Sequence, residues 1–192
     1  MATQEKNTKQ QILDVAESLI MTRGYSNFSY KDISEAVGIR KASIHHHYPA
    51  KEDMGSAFVQ RYRERFIEWR NSIEDKTCKE KLEEFIRLYI FLSNNYQNIC
   101  PVDMLVTEYP VLPEKIRDDI RRLCTDIIKW LATVIDKGKT QEEFKQGIDS
   151  DVMSYIVVMC LSGTLKMARI FKESYEVEPI FEQVRQMVFA EN

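Results

Sequence analysis

Apolar residues recur at spacings of three and four along almost the whole chain, and no stretch alternates with the two-residue period of a half-buried strand, so the pattern predicts an all-α protein. Ile12, Val15, Ala16, Leu19 and Ile20 form one stripe, closed by Gly24. Ile33, Val37, Ile39 and Ile44 form a second, interrupted by Gly38, as expected of two short helices joined by a tight turn at a steep angle. Ser29 with Asp32 three residues later has the spacing of an N-cap and capping box. A glycine at 38 can enter the left-handed conformation that reverses the chain. Phe58, Tyr62, Phe66, Trp69 and Ile73 mark a long helix beginning near Ala50–Lys51. At 1.5 Å per residue it spans on the order of 30 Å and can join two parts of the molecule as a rod, its charged residues mostly on the surface.

Residues 82–96 are apolar on nearly every side, which predicts a helix buried in the middle of the second half. Pro101 breaks the chain, a short helix follows, Pro110 and Pro113 bracket a turn, and a helix from Ile116 through Trp130 to Val134 is expected to close at Gly138. A polar loop then leads to Ser150 as the N-cap of an apolar helix, and Pro179 opens a last helix striped by Ile180, Phe181, Val184, Met187 and Val188.

With 192 residues the chain can bury a real core. Its formal net charge is −3, yet residues 36–51 carry Arg40, Lys41 and Lys51 and no acid, so positive charge is concentrated on the second short helix and its flanks. Together with the two short helices, this reads as a helix-turn-helix that presents Arg40, Lys41, Ser43, His45, His46 and His47 to double-stranded DNA, Lys41 and Arg40 donating to guanine edges. Adjacent histidines on a helix point in different directions, whereas ligands of one ion need a spacing of three or four, so no metal is expected at 45–47. Cys78, Cys100, Cys124 and Cys160 are scattered without a C-x-x-C pair, which argues against a zinc ribbon or disulfide framework and fits a reducing cytoplasm. No apolar run approaches the roughly 20 residues of a membrane helix, and the polar N-terminus resembles neither a signal peptide nor a basic targeting segment. G-x-S-x-G, Walker and H-E-x-x-H motifs are absent, so neither catalysis nor a cofactor is expected.

Gln11-Ile12-Leu13-Asp14-Val15-Ala16, Arg23-Gly24-Tyr25, Ile33, Gly38-Ile39, Ala42-Ser43-Ile44 and Lys51-Glu52 resemble the DNA-binding domain of the tetracycline-repressor (TetR) family over about the first third of the chain. One departure is visible: the family usually has tyrosine where His45 stands and phenylalanine where Tyr48 stands. Histidine can still donate to a phosphate, while the base preference at that position is left open. The resemblance implies an N-terminal helix-turn-helix domain (1–54), a helical effector-binding and dimerisation domain (55–192), and a homodimeric, cytoplasmic transcriptional regulator. Its default is repression, with release from a palindromic operator by a small molecule. By the same resemblance His47 and Lys51 contact phosphate, joined by Ser29, Tyr30 and Lys31, with Ala42 on the reading helix. Phe85, Tyr89, Met104, Glu108, Trp130, Tyr155 and Met159 belong to an effector pocket. The two C-terminal helices pair with a second copy through Gly163, Met167, Phe181, Val184 and Val188. Cys100, just before Pro101 at a helix start, resembles the sensor cysteine of electrophile- or oxidant-responsive members, which gives an alternative mode of release. A protein-interaction adaptor without DNA binding is the distant alternative, opposed by intact Arg40, Lys41 and Lys51.

Overall fold

The computed structural model describes residues 2–93, 101–171 and 176–190; Cys100 lies outside them. These residues form α1 (Ala2–Arg23), α2 (Tyr30–Val37), α3 (Lys41–His47), α4 (Lys51–Ser72), α5 (Cys78–Ser93), α6 (Pro101–Thr107), α7 (Glu114–Thr140), α8 (Ser150–Phe171) and α9 (Glu178–Val188), with a 3-10 turn at Tyr109–Val111. Among them the only β pairing is an isolated antiparallel bridge between Phe144 and Phe189. The fold is all-α.

Packing divides the chain into two compact units, residues 1–65 with 101–123, and 66–100 with 124–192. The first therefore takes in more than the head expected at 1–54. In it α1 packs against α2, α3 and α6, and Ile12, Ala16, Ile20, Ile33, Ile44, Met54 and Phe58 are fully buried. Gly55 permits a close approach within this unit, since a Cβ there would collide with the Ile116 side chain. Beside it, buried Ser56 donates through Oγ to Asp119 Oδ2 at 2.5 Å, and Lys115 Nζ donates to Asp53 at 2.5 Å. Arg61, expected on the surface, is instead buried at 8% exposure and donates to Asp14 (2.7 Å) and Glu17 (2.8 Å), where Tyr62 and Arg65 also converge. Burial pushes the Glu17 carboxyl up, but the hydrogen bonds from Tyr62, Arg61 and Arg65 outweigh it and hold the group below its usual value.

In the second unit α5 packs on α8 and α8 on α9, around Leu82, Phe85, Ile86, Leu131, Ile135, Val157, Leu161, Phe181, Val184 and Val188. Arg185 ties α9 to α5 through Nε to Glu83 (2.9 and 3.1 Å) and holds Glu178 at 2.7 Å. The residues along α5 do not bury all round: Leu88 is exposed and Phe91 is 72% exposed. Gly138 does not end α7, which runs on to Thr140. Its missing Cβ makes room for the ring of Phe144, which is fully buried and stacks on Phe189 at 5.7 Å, and Glu142 (φ 60°) supplies the left-handed turn. The loop expected to be polar thus contributes a core residue. Asp149 caps α8 by accepting from the Val152 N–H at 2.9 Å, while Ser150 opens the helix proper. At 22 residues, α8 is long and apolar enough to cross a membrane by length and composition, contrary to the sequence expectation.

Candidate nucleic-acid interface

The reading helices are fixed by local chemistry. Ser29 Oγ accepts from the Lys31 N–H (3.2 Å) and donates to Asp32 (2.6 Å), and Asp32 accepts from the Ser29 N–H (2.8 Å), closing the capping box. These bonds from Ser29 hold the Asp32 carboxyl below its usual value. Gly38 takes φ 76° at the end of α2 and donates to the Ser34 carbonyl at 3.0 Å, while Ser34 Oγ donates to the Ile39 carbonyl at 2.7 Å. Ile33 and Ile44, both fully buried, lock α2 against α3. Tyr30 donates its hydroxyl to the Tyr48 carbonyl at 2.8 Å, a second pin between the helices. Burial pushes the Tyr30 hydroxyl up to about 12, so it stays a neutral donor.

Outward from this frame, Arg40, Lys41, Ala42, His45 and His46 are exposed and Ser43 and His47 half-buried. The acids of α2 are engaged elsewhere, Asp32 with Ser29 and Arg23, Glu35 with Lys31. A face of cations and hydroxyl or imidazole groups, with no acid of its own, suits a polyanion. His45 lies against the Tyr30 ring (centroids 4.6 Å apart) with Nδ1 3.2 Å from the Pro49 carbonyl, and the His46 and His47 rings meet edge-on at 5.2 Å. Among the described residues no three His, Cys, Asp or Glu side chains gather in metal-ligand fashion.

Three residues expected at phosphate have other tasks. Lys51 donates from Nζ to the Phe28 carbonyl at 2.5 Å and stands over the rings of Tyr25 (4.8 Å) and Phe28 (4.2 Å). The loss of water around it pulls its ammonium below the usual lysine value. Ser29 spends its hydroxyl on the cap, and Tyr30 spends its own on Tyr48. Lys31 keeps its side chain 68% exposed, paired with Glu35 at 3.7 Å on the solvent side of α2.

The same loop has a second clamp. Glu108, just past α6, accepts from the N–H groups of Tyr25 (2.6 Å) and Ser26 (2.9 Å). Gly24 stands at φ 84°, and a Cβ there would sit on Glu108 Oε1. Residues 24–28 are therefore held by a carboxylate on their N–H groups and by an ammonium on their last carbonyl and rings. Gly24 was a visible sign of a special backbone, but nothing in the sequence indicates which side chain fills the space where its Cβ would be.

The expected pocket and dimer residues divide. Phe85, Tyr89 and Trp130 come together in the second unit with Phe66 and Trp69, with ring centroids 5.3–6.0 Å apart. Met104 and Glu108 belong to the first unit, Glu108 in the clamp. Tyr155 and Met159 are 56% and 61% exposed, on the outer surface of the single chain. Phe181, Val184 and Val188 are at most 2% exposed, which makes them core of the protomer and not surface for a partner. Met167 is exposed, and Gly163 is half-buried with open space where a Cβ would be.

Residues 12–57 match the family model described as bacterial regulatory proteins of the tetR family, and residues 78–184 match that of the tetracyclin repressor-like C-terminal domain. The chain is similar to the crystal structure of a TetR-family transcriptional regulator from Agrobacterium tumefaciens, with a TM-score of 0.90 and 28% identity, covering 97% of this chain and 100% of that one. It is 22% identical to the fatty acid metabolism regulator protein of Bacillus subtilis over 187 residues, 96% of this chain and 95% of that one. To the IcaR negative transcriptional regulator of the biofilm operon icaADBC in Staphylococcus epidermidis it is 34% identical over 85 residues, 43% of this chain and 45% of that one. With both halves matched and the helix-turn-helix built as described, the chain belongs to the TetR family of DNA-binding transcriptional regulators.

Proposed function

We propose that the protein is a homodimeric cytoplasmic repressor that occupies an inverted-repeat operator and is released when a small molecule binds its helical effector domain. The carrying observation is the exposed, acid-free face of α3 on a frame that its caps and clamps hold rigid. Arg40 and Lys41 are the base readers, with Ala42 and Ser43 at the same surface. His46, His47 and Lys31 serve the phosphates. Ser29, Tyr30 and Lys51 act one step back, holding the helices that make contact. Residues 1–54 are the reading head, and repression accords with the negative regulator among the relatives.

An inverted repeat requires a two-fold protein. Val152, Tyr155, Met159, Met167 and Ile170 are exposed along the full length of α8, and at roughly 100° per residue they fall within about a third of a turn. Gly163 lies on the same stripe near the middle, leaving room for a partner backbone. The opposite face, with Val157, Leu161, Leu165 and Ala168, is already buried. This stripe replaces Phe181, Val184 and Val188 as the dimer surface. It also accounts for the high hydropathy of α8 without a bilayer, since apolar residues then line two faces of the helix. The aromatic group of Phe85, Tyr89, Trp69 and Trp130 supports an apolar or aromatic effector in the second unit. Footprinting on promoter fragments tests the reading: protection of two half-sites about one helical turn apart is expected, and protection of a single site or none counts against it.

A further inference from the structure

We propose that His45 reads a base as a hydrogen-bond acceptor and thereby sets a preference for adenine or cytosine at one position of each half-site. The inference rests on the reading above that α3 lies in the major groove, and it concerns the chemistry that one side chain brings there.

The ring is held on two sides. Its Nδ1 lies 3.2 Å from the carbonyl oxygen of Pro49, and a carbonyl can only accept, so Nδ1 carries the hydrogen. One face rests on the Tyr30 ring at 4.6 Å with a 57° tilt, and Tyr30 is itself anchored by its hydroxyl on the Tyr48 carbonyl. In the neutral ring the other nitrogen, Nε2, is then bare and points away from Pro49. His45 follows Lys41 by four residues, one turn along α3, and both are exposed, so both belong to one face of the helix.

That tautomer decides the partner. Phosphate oxygens offer no hydrogen, so a bare imidazole nitrogen gains nothing from the backbone of DNA. The major groove does offer donors, at the exocyclic amino groups of adenine (N6) and cytosine (N4). Guanine O6 and N7 and thymine O4 are acceptors and repel the same nitrogen. Lys41, with donors only, complements this by seeking guanine. The two residues thus impose opposite requirements at neighbouring positions. His45 is a specificity residue and not the phosphate donor its residue type first implied.

The test uses the full-length protein, with the state of the His45 ring read directly. Nitrogen-15 shifts of the histidine rings in the free protein should show the His45 hydrogen on Nδ1, and a hydrogen on Nε2 would overturn the proposal before any DNA is added. Selection from a random duplex pool should then yield an inverted repeat with adenine or cytosine enriched at one position per half-site. His45→Phe keeps a ring for Tyr30 but removes both nitrogens; it should erase that enrichment and weaken the best site roughly tenfold. Its salt slope should match wild type, since no phosphate contact is lost. His45→Gln, whose amide can pair bidentately with adenine, should narrow the preference to adenine. Unchanged base preference in both variants, or a salt slope lowered by about one with preference intact, would overturn the role of His45 alone. A wild type that selects no sequence would overturn both this role and the operator reading beneath it.

Discussion

Replacing Gly24 by alanine separates a backbone effect from a side-chain effect when it is combined with Glu108→Ala. Gly24 sits at φ 84°, and a Cβ added there would overlap Glu108 Oε1, the oxygen that accepts from the Tyr25 N–H at 2.6 Å. Holding alanine in a left-handed conformation costs about 1–2 kcal/mol. Expelling the carboxylate loses two charge-assisted bonds, one partly buried and one exposed, together worth about 2–3 kcal/mol once solvent screening is allowed for. Gly24→Ala should therefore destabilise by roughly 3–5 kcal/mol and Glu108→Ala by roughly 2–3 kcal/mol. In the double variant the carboxylate is already gone, so only the backbone cost is added, and the total should stay near roughly 3–5 kcal/mol where simple addition gives roughly 5–8. Urea unfolding followed by circular dichroism, at one protein concentration so that any dimer linkage is constant, measures all three. Additive costs would refute the clamp. So would a Glu108→Ala loss below about 0.5 kcal/mol, the level of an ordinary surface change.

Other residues give shorter tests. Lys51→Met should lower stability by about 1–2 kcal/mol through the lost bond to Phe28 and the lost ring contacts while leaving the salt slope of DNA binding unchanged; a slope reduced by about one would return Lys51 to the phosphate. Lys41→Ala should cost on the order of 1–3 kcal/mol on the best site and relax one base position, whereas equal loss on every sequence would make it a phosphate contact. Met159→Glu and Gly163→Glu should yield folded monomers in sedimentation, because both change the exposed stripe of α8. Val184→Asp should instead unfold the protomer by about 3 kcal/mol or more, since that side chain is 2% exposed in the core; a folded monomer would return α9 to the interface.

The features legible in the sequence are those set by neighbours in the chain. The Ser29–Asp32 box, the turn at Gly38 and the buried pair Ile33 and Ile44 follow from spacings of a few residues, and all are found as expected. Features decided by distant partners were not legible. Lys51 has the composition of a phosphate contact, and only the fold brings Phe28 and Tyr25 around its ammonium. Glu108 has the look of a pocket acid until Gly24, 84 residues earlier, is seen beside it. Arg61 lies among charged residues of α4 and is buried because Asp14 and Glu17 of α1 meet it. The sequence likewise marked α8 as an apolar helix and gave α9 its stripe, but not which side of either faces the core. Phe181, Val184 and Val188 fill the protomer core, while Tyr155 and Met159 face outward, and the residue types on the two sides are alike.

Whether a two-fold dimer reads DNA through the exposed face of α3 is decided by equilibrium binding of the wild type to a random duplex pool at two salt concentrations, with the bound fraction sequenced. One inverted repeat should be enriched, its half-sites about a helical turn apart, with affinity falling steeply as salt rises. Binding that depends on salt but enriches no sequence, or enrichment of a single unpaired site, would contradict it.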